Sequence, residues 1–102
     1  MNIIDSLRWR YAVKKFDTEK QLSQSQINTL KEAFNLTATS YGLQPLKLIV
    51  IQNKEIQKQL VAHSWNQPQV LEASHLLVIC TKDNYTSDEV KNYFNLVQKV
   101  RN

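Results

Sequence analysis

Residues 7–16 read LRWRYAVKKF, with Arg8, Arg10, Lys14 and Lys15 interleaved with Trp9, Tyr11 and Phe16. Arg10 and Lys14, at the end of one helix and in the loop after it, can converge on a single phosphate group. An arginine offers a planar fork for two phosphate oxygens, and a lysine adds a mobile point charge. A solvated basic turn with its aliphatic stems laid on apolar surface has the same composition. So does a surface where aromatic rings stack on bases. The formal net charge of +4 and the pI of about 9.3 permit an anionic ligand without demanding a polymer. No RNA- or DNA-binding module pattern accompanies the cluster, so nucleic acid ranks behind a small phosphorylated ligand.

Two polar clusters lie further along. In TATSYGLQP (37–45), Thr37, Thr39, Ser40 and Gln44 are neutral hydrogen-bonding groups, and Gly42 allows close approach of a ligand to the main chain. Such a loop can read a polar heterocycle or a sugar-like chain; a plain helix-to-strand turn is the alternative. In NQPQ (66–69), Asn66 and Gln69 can donate to and accept from a planar ring edge, although asparagine before a helix is also an ordinary cap. His63 and His75 lie far apart, and Cys80 is the single cysteine, so neither a metal-ligand pattern nor a disulfide framework is present. His75 is expected to be a hydrogen-bonded core residue and Cys80 a small buried hydrophobe. No catalytic side chain and no metal ligand is assigned. Gly42 is the single glycine, which excludes a Rossmann fingerprint and a Walker A loop.

The elements that must position these groups follow from caps and periodicity. Asn2 caps a short helix over 2–10 with Ile3, Ile4 and Leu7 as its apolar stripe. Ser23 and Gln26 fit a capping box for a helix over 23–36, with Ile27, Leu30, Ala33 and Phe34 on one face. LKLIVI (46–51) reads as a buried strand. Asn53 caps a helix over 54–63, and Pro68 suits the first turn of another running to Ala73. HLLVICT (75–81) reads as a second core strand. Thr86 and Glu89 fit another capping box, followed by an amphipathic helix to the end through Val90, Tyr93, Phe94, Val97 and Val100.

A chain of 102 residues is expected to form one domain with a modest core, burying roughly 60–68% of its extended surface. The start carries charge where a signal peptide would be apolar. No apolar run approaches the roughly 20 residues of a membrane span. The expectation is a cytoplasmic protein bound to neither membrane nor nucleic acid. Two strands are too few for a self-sufficient sheet. The last helix reaches Asn102 with its stripe still running. Both features suggest the first half of a larger α+β domain, or a small domain completed by a partner.

Taken in order, RYAVKKFD (10–17), TATSYGLQP (37–45) and WNQPQVLEASHLLV (65–78) resemble the N-terminal half of the nitroreductase family, whose members are FMN-dependent NAD(P)H oxidoreductases. The resemblance covers the whole chain. It implies an α+β sandwich of helices around a small mixed or antiparallel sheet, with residues 1–102 as the truncated N-terminal portion of a single domain. It implies that Arg10 grips the FMN phosphate and that Tyr11 and Ala12 contact the phosphate and ribityl chain. Ala12, where a serine is frequent, does so through its main chain. Lys14 falls near the pyrimidine edge of the flavin. Thr39 and Ser40 belong to a loop that reaches the flavin held mainly by the other subunit of a homodimer. Asn66 bonds the ring edge, and Gln69 takes a position where some members carry lysine. The implied reaction passes hydride from NAD(P)H through FMN to a small-molecule acceptor, a nitroaromatic or a quinone. The rival readings are a non-catalytic remnant that pairs with another chain and, third, a basic nucleic-acid binder.

Overall fold

The computed structural model describes residues 1–101. Its elements run α1 (Ile3–Trp9), α2 (Gln24–Leu36), a 3₁₀ turn (Ser40–Gly42), β1 (Leu46–Ile51), α3 (Lys54–Val61), α4 (Gln69–Glu72), β2 (Leu76–Thr81) and α5 (Ser87–Arg101). They fall into two compact units that alternate along the chain. The first unit comprises Met1–Gln21 with Gln52–Leu76, and the second comprises Leu22–Ile51 with the chain from Leu77 onward.

In the first unit, the Asn2 side chain accepts the Asp5 N–H at 2.9 Å and starts α1. Arg10 ends the helix by turning extended at ψ 135 while its N–H still reaches the Ser6 carbonyl. No residue of α1 is buried, so its Ile3, Ile4 and Leu7 stripe lies open. Asn53 caps α3 by accepting from the Glu55 and Ile56 N–H groups at 3.0 and 3.1 Å. The helix stops at Val61, two residues short of expectation, because Trp65 and Asn66 take left-handed φ values of 54 and 57 and fold the chain back. The Asn66 N–H closes that turn on the Val61 carbonyl at 3.0 Å. Pro68, at the cap position, then leads into the single turn of α4.

In the second unit, Ser23 and Gln26 form the expected reciprocal capping box of α2, and Ile27 is buried. The Lys82 N–H donates to the Pro45 carbonyl at 3.1 Å, joining the residue after β2 to the residue before β1. The two-stranded sheet is therefore antiparallel. That register sets Leu48 opposite Ile79 and Val50 opposite Leu77 on one face. The strands differ from the expected core strands. Their residues alternate between half-buried and exposed, and Ile49, Leu77 and Ile79 face outward. Leu77 and Ile79 lie on one face and Ile49 on the other, so each side of the sheet is covered only in part. Cys80 is accordingly half-buried rather than buried.

The start of α5 also departs from expectation. Thr86 Oγ1 accepts the Glu89 N–H at 3.3 Å, but the Glu89 carboxylate turns to Lys82 Nζ at 3.3 Å instead of closing the capping box. Along α5, Val90, Tyr93 and Val97 are half-buried while Phe94 and Val100 are exposed, so the inward stripe is narrower than the apolar pattern suggests.

Candidate functional site

The first unit holds six of the eight candidate residues. Arg10, Tyr11, Ala12 and Lys14 lie on the irregular, exposed segment that leaves α1. Among the described residues, neither Arg10 nor Lys14 makes an ion pair. The segment is pinned at both ends: by the Arg10 N–H on the Ser6 carbonyl, and by the Phe16 N–H on Glu72 Oε2 at 3.1 Å. Asn66 is exposed in the left-handed turn before α4, a conformation asparagine tolerates better than most residues. Gln69 opens α4, and its Oε1 is buried without a hydrogen-bond partner.

A helix of one turn cannot hold itself, because nucleation fixes several dihedral angles for a single hydrogen bond. Side chains of α3 supply the missing support. Gln57, fully buried, donates through Nε2 to the carbonyls of Val70 at 2.9 Å and Ala73 at 3.1 Å. Lys54 Nζ donates to the carbonyls of Leu71 at 3.3 Å and Ser74 at 3.4 Å, and also to that of Ala73. The carbonyls at the end of α4, which have no partner within the helix, are thus satisfied from a neighbouring element. Sequence reasoning missed Lys54, Gln57 and Glu72 because each acts on main chain 13 to 56 positions away. No local motif announces such bonds. His75 is bonded at Nδ1 to the Ser74 hydroxyl at 2.6 Å, as expected, but it is half-buried rather than a core residue.

The second unit holds Thr39 and Ser40. Thr39 accepts the Gln44 N–H on its hydroxyl at 2.9 Å and the Gly42 N–H on its carbonyl at 2.9 Å. Gln44 donates back to the Asn35 carbonyl at 3.1 Å, and the Thr37 hydroxyl bonds the Ala33 carbonyl at 2.6 Å. Much of the loop's polar capacity therefore serves the turn itself, while Ser40 stays exposed. Gly42 has φ 67, and a Cβ there would sit 2.5 Å from the Tyr93 hydroxyl. The close approach that glycine permits is to the protein's own tyrosine. Beside the loop lies an apolar groove of about 310 Å³, lined by Phe34, Thr39, Leu46, Leu48, Leu77 and Ile79 among others.

The model of the nitroreductase family matches residues 7–98, a span that contains all eight candidates and the three supporting side chains. The chain belongs to the nitroreductase family. A protein of Staphylococcus saprophyticus provisionally named an NAD(P)H nitroreductase is 41% identical over 100 residues, covering 95% of this chain and 46% of its own length. A Staphylococcus epidermidis protein with the same provisional name is 39% identical over the same shares. This nitroreductase-family chain thus spans about half the length of the curated relatives it matches. Among solved structures, a nitroreductase-like protein of Streptococcus mutans superposes with a TM-score of 0.74 at 27% identity, over 95% of this chain and 48% of that one. A provisionally named nitroreductase of Exiguobacterium sibiricum, solved in complex with FMN, gives 0.74 at 21% identity over 99% and 51%. These likenesses agree with the expected helices around a small sheet. Among the described residues no group of side chains could hold a metal ion, and no helix is long and apolar enough to cross a membrane.

Proposed function

We propose that this chain is the N-terminal, flavin-holding portion of a single-domain, FMN-dependent NAD(P)H oxidoreductase. The observation that carries this is Arg10 and Lys14, exposed and without an ion-pair partner among the described residues, on a segment tied through Glu72 to the helix of Gln69. A pair of cations held without a carboxylate partner suits a phosphate and an electron-rich ring. The orphaned Oε1 of Gln69 suits a ring N–H donor.

When bound, FMN supplies the hydride chemistry between a nicotinamide and an acceptor such as a nitroaromatic or a quinone. The chain's residues bind and orient it. Arg10 holds the phosphate, with Tyr11 and the main chain of Ala12 beside it and along the ribityl chain. Lys14 lies at the pyrimidine edge, where its charge favours the reduced ring by direct electrostatics. Asn66 and Gln69 contact the ring edge. Thr39 and Ser40 serve the flavin held mainly by the other subunit of a homodimer. The protein works in the cytoplasm.

Arg10→Ala is expected to weaken FMN binding by about 2 kcal/mol, the scale of a hydrogen bond to a charged group. Fluorescence titration of FMN into mutant and parent checks this, and equal affinities refute the assignment. The second reading, a non-catalytic module that pairs with another chain, is favoured by the open apolar stripe of α1 in the first unit and, separately, by the exposed Leu77 and Ile79 of the second. A colourless protein that self-associates and ignores FMN would select it.

A further inference from the structure

We infer that Glu72 is a positioning residue: by holding the Phe16 N–H it fixes the phosphate-binding segment onto the same frame that carries Gln69. The inference rests on the flavin reading above. It starts from how little else restrains that segment. Among the described residues, residues 11–15 make no main-chain hydrogen bond, so the hydrogen bonds that fix the strip carrying Arg10 and Lys14 are those at Ser6 and at Glu72. The contact at the far end is charge-assisted, the stronger kind for an N–H donor. Glu72 can act as an anchor because α4 is itself anchored. Gln57 and Lys54 hold the carbonyls of Val70, Leu71, Ala73 and Ser74, on both sides of Glu72.

One rigid turn therefore serves both ends of a long ligand. Its first residue, Gln69, addresses the ring edge. Its last, Glu72, sets the strip that addresses the phosphate. Cutting the Glu72 link should loosen the phosphate end and leave the ring end in place, because the bonds from Gln57 and Lys54 remain. A residue that merely stabilised the fold would weaken both ends together.

Riboflavin, which lacks the phosphate, makes the distinction measurable. Glu72→Ala, and the near-isosteric Glu72→Met, should lower affinity for FMN about tenfold, the scale of one hydrogen bond, and leave affinity for riboflavin within about twofold. Glu72→Gln, whose amide oxygen can still accept, should restore FMN binding. Amide exchange at Phe16, measured without flavin, should speed up in the Ala and Met variants and return to the parental rate in Gln. Equal losses for FMN and riboflavin, or unchanged exchange at Phe16, would overturn the inference. If Arg10→Ala binds FMN as well as the parent does, or the parent binds neither flavin, the flavin reading itself fails. That outcome is distinct from a parent that binds FMN through Arg10 yet ignores Glu72.

Discussion

The two units of the chain solve the problem of fixing a polar segment in opposite ways. In the first, the most buried residue is a glutamine, Gln57, and order is imposed by side chains that reach main chain far away in sequence. In the second, the most buried residue is an isoleucine, Ile27, and the loop at 37–44 is knotted by short-range bonds from Thr37, Thr39 and Gln44. A long-range polar framework leaves Arg10, Lys14 and Asn66 exposed and available. A locally bonded turn uses up its own hydroxyls and amides. The contrast explains why the first unit carries most of the candidate site although it has less regular structure.

The comparison breaks most visibly if the apolar centre of the second unit proves dispensable. Ile27 is 3% exposed, and Ile27→Ala should cost about 2–5 kcal/mol, the range for truncating a buried isoleucine to alanine. Urea unfolding followed by circular dichroism measures it, with the midpoint falling and the slope unchanged. A loss below about 1 kcal/mol would mean that Ile27 packs against little, and that the second unit is not held by apolar burial.

The same contrast governs what could be read in advance. The caps at Asn2, Ser23 and Asn53 and the two strands emerge from composition and spacing, because each depends on residues a few positions apart. Arg10, Lys14, Asn66 and Gln69 are visible as chemistry-bearing types. What holds them is not visible. Nothing in the neighbourhood of Glu72 says that its carboxylate accepts from Phe16, since that bond exists only once the chain has folded. Helix α3 ends early for a related reason. Trp65 has no local preference for a left-handed conformation, and the turn that imposes it is closed by Asn66 on Val61. The openness of the strands was hidden too, because an apolar run reads the same whether one face or both are covered.

A middle-sized effect sharpens the account of the local turn. Gly42→Ala places a Cβ in a left-handed backbone, which costs about 1–2 kcal/mol, and brings it 2.5 Å from the Tyr93 hydroxyl. The total loss should be about 2 kcal/mol. Tyr93→Phe in the same background removes the offending oxygen, and the next atom, Cζ at 3.5 Å, is in ordinary contact. The double variant should therefore recover part of the loss and retain the backbone cost. Unfolding free energies of the four proteins in the cycle give the coupling directly. If the two changes simply add, Tyr93 is not packed against Gly42, and the glycine serves the φ alone.

The smallest effect has the opposite sign and tests the first unit. Trp65 sits at φ 54 with 90% of its surface exposed, so it bears the left-handed penalty and buries almost nothing in return. Glycine at this position removes a backbone cost of about 1–2 kcal/mol. It adds about 0.5–1 kcal/mol of chain entropy to be lost on folding. The balance predicts that Trp65→Gly stabilises the chain by about 0.5 kcal/mol, where the reverse exchange at Gly42 destabilises it. Two left-handed positions thus answer in opposite directions because one change adds a Cβ at positive φ and the other removes one, with the Tyr93 hydroxyl adding to the cost at Gly42 alone. A thermal or urea midpoint that rises slightly for Trp65→Gly supports this. A drop equivalent to about 1 kcal/mol or more would show that the exposed indole has a stabilising contact, beyond the main-chain bonds of Ser64, Asn66 and Gln67 that close the turn before α4.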